Sequence, residues 1–174
     1  MYPYNRNTQL YHRAKTTPSA PACAQSQQNS TLSTDRRLEE LLNLSMQETA
    51  ELAGIYEGLQ QEAVFANAAN ILKTMELDEK KHLRRLREVL FTVFGTAPDA
   101  PAVTASVPCM HGTELMEWLL LREMDDCTFY RNLLLSLPEG ELRDAFFEIL
   151  TDKQNHTSAL NHLYAKYFTK TTGQ

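Results

Sequence analysis

The chain has 174 residues, of which 43% are hydrophobic, so one domain with a single core is expected. Its formal net charge of −5 argues against a nucleic-acid partner. No apolar run is long enough to span a bilayer, and none follows the first positive charges as in a secretory signal, so we predict a cytoplasmic protein with no membrane partner.

Residues 1–33 differ in composition from the rest of the chain. They contain no acidic residue and are rich in Ser, Thr, Gln, Asn and Pro. A segment with so little apolar surface cannot offset the entropy cost of ordering, so we predict a disordered tail over 1–33 and a folded body over 34–174. The cations and tyrosines of the tail also fit an arm that binds an acidic partner, and the sequence does not separate this role from a solvated tail.

From residue 34 onward, apolar residues recur at alternating spacings of three and four. This is the pattern of long amphipathic helices that pack side by side at shallow angles. Four helices are predicted, over residues 34–60, 64–94, 113–136 and 140–168. The predicted fold class is an all-α four-helix bundle.

The connections between the helices predict the topology. Short connections follow the first and third helices, so each consecutive pair is expected to form an antiparallel hairpin. About 18 residues, from Gly95 to Gly112, separate the second helix from the third. At about 3.3 Å per residue, such a linker can run the full length of a helix of about 42 Å. The two hairpins can therefore be joined by one long crossover, which is the ferritin-like arrangement.

An internal repeat relates the two predicted hairpins. Tyr56 and Tyr130 are 74 residues apart, and so are His82 and His156. Two hairpins of similar sequence are expected to pack about a pseudo-twofold axis. The polar residues in the middle of the helices would then meet at the centre of the bundle.

Several positions in the predicted buried seams hold polar or charged side chains. They are Thr49, Glu79, His82, Glu123, Asp126, Lys153 and His156. Buried charges are costly unless they are paired or bind a metal ion. Glu79 and His82 are three residues apart on one helix, a spacing that lets both side chains reach the same ion. The seams therefore predict a buried polar layer of one of these two kinds.

Two stretches of the chain resemble a known family. The segments ELAGIYEGL…MELDEKKHLRRL and REMDDCTFYRNLL…LPEGELRDAFFEILTDKQNHTSAL resemble the two halves of rubrerythrin-type members of the ferritin-like superfamily, over about residues 36–168. The resemblance implies a homodimer and two irons, held by a Glu from each of the first and third helices and a Glu-x-x-His from each of the second and fourth. It also implies reactivity with peroxide, oxygen or iron. Because the three cysteines form no CxxC pair, an external electron donor would be needed.

Carried over position by position, the resemblance to the family's metal site is partial. Four of the six positions hold ligand-type residues: Glu79, His82, Glu123 and His156. The other two hold Thr49 and Lys153, where the family has glutamates. The resemblance therefore implies a reduced or lost site for iron or manganese, with residual handling of peroxide or oxygen.

Lys153 leads to two interpretations that the sequence leaves open. A protonated ammonium group cannot bind a metal ion, but it can neutralise Glu79 and Glu123 in place of one. The bundle would then hold no metal and would serve as an assembly or interaction module. If Lys153 instead extends outward along its aliphatic stem, a one-metal site for iron or manganese remains.

Overall fold

The computed structural model describes residues 25–96, 98–110, 112–137 and 139–168, with side chains from residue 36 onward. Its four helices are α1 (Gln25–Leu59), α2 (Ala69–Phe94), α3 (Gly112–Ser136) and α4 (Glu141–Phe168). The predicted all-α fold class, with four helices in two hairpins, is confirmed. Within the described ranges, no helix combines the length and the apolar character needed to cross a bilayer.

The helix boundaries differ from the prediction at two places. A 3₁₀ helix, Ala63–Ala68, occupies the predicted start of the second helix and leads into α2. Helix α1 begins at Gln25, within the segment predicted as the tail, whose residues 1–24 lie outside the described part of the chain. The added turns contain no Pro or Gly, so nothing in the sequence stops a helix there.

The chain divides into two compact units, residues 1–38 and 39–174. Of the first unit, residues 25–38 are described, and they are helical. The second unit contains the core and the polar layer. Its core combines apolar side chains from all four helices: Leu52, Tyr56, Leu72, Met116, Leu119 and Leu160 are at most 1% exposed. Val93 is 40% exposed, because α2 ends one residue later.

Ion pairs give the direction of α2 relative to α4. Asp78 lies against His156, while Lys81, further along α2, lies against Glu148, nearer the start of α4. The two helices are therefore antiparallel. Because α3 and α4 form the second antiparallel hairpin, α2 and α3 are parallel, as the long crossover requires.

The crossover lies against α1 at a glycine. The Ser106 backbone N–H donates to the Gly54 carbonyl oxygen at 3.1 Å. A Cβ atom on Gly54 would overlap the carbonyl oxygen of Thr104. Gly54 thus lets two backbones approach closely, a use of glycine that no other residue can replace.

We expect Gly54→Ala to destabilise the fold by about 1–2 kcal/mol. The methyl group must displace the crossover backbone, and this cost exceeds the gain of about 1 kcal/mol in helix propensity. Gly58→Ala is the matched comparison, because its Cβ first meets the Val107 side chain at 2.8 Å, and a smaller loss is expected. Urea unfolding measures both changes. A Gly54→Ala protein as stable as the parent would contradict this placement of the crossover.

Glu76 is a buried charged residue that lies outside the predicted seams. Glu76 on α2 is fully buried, and it accepts hydrogen bonds from Lys80 at 2.6 Å, Gln60 at 2.7 Å and Lys73 at 2.8 Å. Burial raises the pKa of Glu76, but these donors outweigh it and lower the pKa to about 2. Glu76 therefore links the end of α1 to α2 as a carboxylate.

The stability that Glu76 contributes is expected to depend on pH. Because its pKa falls from 4.5 to about 2 on folding, its contribution is complete above pH 4.5 and is lost as the pH falls toward 2. Glu76→Gln should cost about 1–2 kcal/mol at neutral pH, a value reduced from the full shift because its lysine partners are partly exposed. Glu88→Gln is the control, because Glu88 is exposed and forms one ion pair, with Arg85. An equal loss at pH 7 and pH 2 would contradict the carboxylate's role.

Candidate functional site

Lys153 lies at the centre of the buried polar layer. Its ammonium nitrogen, Nζ, is 2.8 Å from Glu79 Oε1, 2.9 Å from Asp126 Oδ2 and 3.3 Å from Glu123 Oε2. The predicted pairing with Glu79 and Glu123 is thus present, and Asp126 is a third partner. The alternative in which Lys153 extends outward is wrong, because the side chain is 0% exposed.

The carboxylates hold Lys153 in its charged form. Burial lowers the pKa of Lys153, but Asp126, Glu123 and Glu79 together raise it well above its ordinary value. Burial likewise raises the pKa of Glu79, and Lys153 and the two nearby histidines reverse this, holding it well below the ordinary value. The central pair is therefore an ammonium and a carboxylate, each of which stabilises the charge of the other.

Asp126 differs from the two glutamates. Burial raises the pKa of its carboxyl group, and this effect exceeds the lowering by Lys153. The pKa of Glu123 is lowered, because Lys153 and His156 outweigh its burial. Glu79 and Glu123 are therefore the carboxylates that favour ionisation, while Asp126 resists it.

The two histidines are bound across the repeat by aspartates. His82 Nε2 lies 3.1 Å from Asp152 Oδ2, and His156 Nε2 lies 3.2 Å from Asp78 Oδ2. Each Asp stands four residues before one His but contacts the other, so the contacts are exchanged between the two halves. This exchange is what the predicted pseudo-twofold axis requires.

The aspartates turn the other ring nitrogen of each histidine toward the layer. His156 Nδ1 is 3.1 Å from Glu79 Oε1 and 3.4 Å from Glu123 Oε1. These distances are short enough for ion pairs, but the angles at Nδ1 do not meet the requirements of a hydrogen bond. His156 Nδ1 therefore has no hydrogen-bond partner. Burial lowers the pKa of His156, but Asp78, Glu123 and Glu79 outweigh it and raise the pKa well above the ordinary value.

The layer contains positive charges beside its carboxylates. With its raised pKa, His156 is protonated at neutral pH and adds a second positive charge beside Lys153. These two charges balance Glu79 and Glu123, the carboxylates whose pKa values are lowered. Each of these two glutamates therefore has a positively charged group of the layer beside it.

Two tyrosines in equivalent positions of the two halves flank the layer: Tyr56 packs in the apolar core near Leu160, and Tyr130 stacks on Phe146 near the start of α4. The Tyr56 hydroxyl donates to Glu123 Oε1 at 2.5 Å. Burial raises the pKa of Tyr130, the repeat equivalent of Tyr56, and the nearby side chain of Thr49, the repeat equivalent of Glu123, partly offsets this rise. Thr49 is 2% exposed, so its side chain is buried on the same side of α1 as Tyr56.

Three of the four predicted metal ligands have ligand atoms that lie close together. Glu79, Glu123 and His156 offer ligand atoms that all lie within 4.8 Å of one another. His82 is not in this group, although its Nδ1 is 3.5 Å from Glu79 Oε2. Metal binding by the predicted ligands stays a prediction.

The donor types suit iron or manganese, but Lys153 does not. Its charged nitrogen contacts the oxygens that a metal ion would bind, at distances of 2.8–3.3 Å. A divalent ion there would be repelled unless Lys153 moved away or lost its proton, and its raised pKa opposes proton loss. With Lys153 in place, the residues present do not fit a metal ion.

Sequence reasoning assigned no pairing role to three carboxylates of the layer. Asp126 is a polar seam residue, and its position three residues after Glu123 on α3 is the signal that both carboxylates lie on one helix face and can contact Lys153. Asp78 and Asp152 were visible as aspartates four residues before a histidine in each half. That spacing did not indicate which histidine each would bind.

Comparison with known proteins identifies no family. No protein-family model matches the chain, and neither a curated protein nor a solved structure matches it. The structure itself supports a four-helix bundle with a buried Glu/Glu/His cluster.

Proposed function

We propose that this chain is a non-catalytic helical bundle, an assembly or interaction module, in which Lys153 takes the place of a metal ion. The observation that carries the proposal is the contact of one fully buried ammonium group with three carboxylates, at 2.8, 2.9 and 3.3 Å. A buried cation in that position neutralises the carboxylates and prevents a second cation from binding there.

The proposal includes descent from a rubrerythrin-like, ferritin-fold ancestor with a metal site. Three observations support this origin: the exchanged histidine–aspartate contacts, the paired tyrosines, and Thr49 and Lys153 buried at the positions where the family has glutamates. Aspartates that bind the outer nitrogen of metal-ligating histidines are a common feature of metal sites. In this chain they would remain after the metal ion was lost.

A second candidate function is a reduced metal site that binds one iron or manganese ion. It is favoured by the grouping of Glu79, Glu123 and His156 within 4.8 Å and by the inward Nδ1 atom of His156, which has no hydrogen-bond partner. Iron, when bound, supplies redox chemistry toward peroxide or oxygen. This function requires Lys153 to leave the layer, so we rank it second.

Metal analysis of the full chain, purified without chelators, distinguishes the two functions. The first predicts less than about 0.1 equivalents of iron or manganese after dialysis at neutral pH, and the second predicts at least about 0.5 equivalents. A sample loaded with manganese before dialysis controls for metal lost during purification. Retention of about 0.5 equivalents or more by the loaded sample would overturn the metal-free proposal.

A further inference from the structure

An open groove lies on the outer surface of α2. It has a volume of about 630 Å³ and is lined by Arg84, Arg87, Glu88, Phe91 and Thr96. The first four are spaced so that they form one stripe along the helix. Phe91 is 64% exposed, which places a large aromatic ring in solvent between charged side chains.

The charge of the groove is positive, although the chain as a whole is negative. Glu88 is held by Arg85, whose Nη1 lies 2.9 Å from Glu88 Oε2, so its charge is already compensated. Arg84 is exposed and makes no ion pair with any residue that the structure describes. Arg87 is 4.0 Å from the fully exposed Asp99, which is the outer limit of an ion pair. The groove is therefore lined by the guanidinium group of Arg84, which makes no ion pair within the described part of the chain, and by that of Arg87, whose ion pair with Asp99 is long.

We propose that this groove binds an acidic peptide segment of a partner protein. Its carboxylates would pair with Arg84 and Arg87, and an apolar side chain between them would cover Phe91. Arginine binds carboxylates through two parallel hydrogen bonds, and arginine and aromatic residues supply much of the energy at protein interfaces. A nucleic acid fits less well, because two cations on a chain with a net charge of −5 provide little of the positive surface that phosphates require.

The negative charge of the rest of the chain adds selectivity. The net charge of −5 disfavours contact of an acidic segment with most of the chain, while the arginines of the groove favour contact there. An acidic peptide segment is thus the class of partner that the proposed interaction module would bind, and this proposal rests on that proposed function. It does not depend on which cation fills the polar layer, because Arg84, Arg87 and Phe91 are exposed.

The test uses a short fluorescein-labelled peptide that alternates Glu and Leu, titrated with the full chain in low-salt buffer. Fluorescence anisotropy should show saturable binding. The double variant Arg84→Glu/Arg87→Glu should bind at least about tenfold more weakly, and Phe91→Ala at least about fivefold more weakly. A peptide with Lys in place of Glu should not bind.

Two control variants distinguish binding in the groove from binding through charged or apolar side chains elsewhere on the surface. Arg131→Glu removes an exposed arginine elsewhere, and Phe147→Ala removes a phenylalanine that is 59% exposed and lies outside the groove. Both should keep the affinity of the parent within about twofold. Circular dichroism checks that each variant is folded, and the milder Arg84→Gln provides a second measurement if the double variant is not.

Three results would overturn the proposal: no saturable binding, equal losses in the control variants, or equal binding of the Lys peptide. A negative result would leave the metal analysis unaffected. A metal-containing protein that still bound the peptide through Arg84 and Arg87 would reject the Lys153 proposal and retain this one. The two proposals can therefore fail separately.

Discussion

Lys153→Met is expected to lower the free energy of unfolding by about 3–5 kcal/mol at neutral pH, although it adds an apolar side chain at a buried position. The loss follows from the contacts of Lys153 with Glu79, Glu123 and Asp126, all within 3.3 Å. Without the ammonium group, these carboxylates would share a buried site in which His156 is the nearest remaining positive charge. Urea unfolding of both proteins measures the difference.

The pH dependence of this loss has a definite sign. The folded pKa values of Glu79 and Glu123 lie below their ordinary value of 4.5, so the stability from their pairing is present above pH 4.5 and is lost as the pH falls. The difference between Lys153→Met and the parent should therefore be largest near neutral pH and should shrink in acid.

An exposed lysine provides the control for Lys153→Met. Lys81 is 42% exposed and pairs with Glu148 and Asp152, so Lys81→Met should cost less than about 1 kcal/mol. If Lys153→Met were neutral or stabilising, Lys153 would not be the cation that balances the layer, and the proposed function would lose the observation that carries it.

The double variant Thr49→Glu/Lys153→Glu is expected to create a site for two metal ions. It places glutamates at both positions where the family has them, beside the ligand-type residues already present. Without metal, the buried carboxylates repel one another, so the variant should be less stable than the parent. Ferrous iron, added without oxygen, should reverse the loss by about 2.7 kcal/mol at a hundredfold excess over the dissociation constant.

The single variants are the controls for the double variant. Thr49→Glu keeps Lys153 in the layer, and Lys153→Glu lacks the ligand from α1, so each should bind fewer than two ions per chain. Calorimetric titration and thermal unfolding with and without metal provide readouts that need no activity. A double variant that folds but binds no more metal than the parent would show that Thr49 and Lys153 do not occupy ligand positions.

The sequence by itself determined which face of each helix is buried. Alternating spacings of three and four identified the seams, and the polar residues found in them, from Thr49 to His156, are buried in the structure. The charge of Lys153 and its place in a seam also sufficed to predict its pairing with Glu79 and Glu123. These predictions succeed because helical periodicity is local: side-chain direction follows from position along one helix.

Features that depend on two helices at once were decided only by the tertiary structure. Asp78 and Asp152 bind the histidine of the other half because α2 and α4 are antiparallel and pack with Asp78 opposite His156 and His82 opposite Asp152. Asp126 completes the layer because the packing of α3 against α4 brings its carboxylate within 2.9 Å of Lys153 Nζ. The burial of Glu76 depends on where the end of α1 packs. Relative rotation and shift of helices arise from the packing of the whole core, and no local pattern in the chain encodes them.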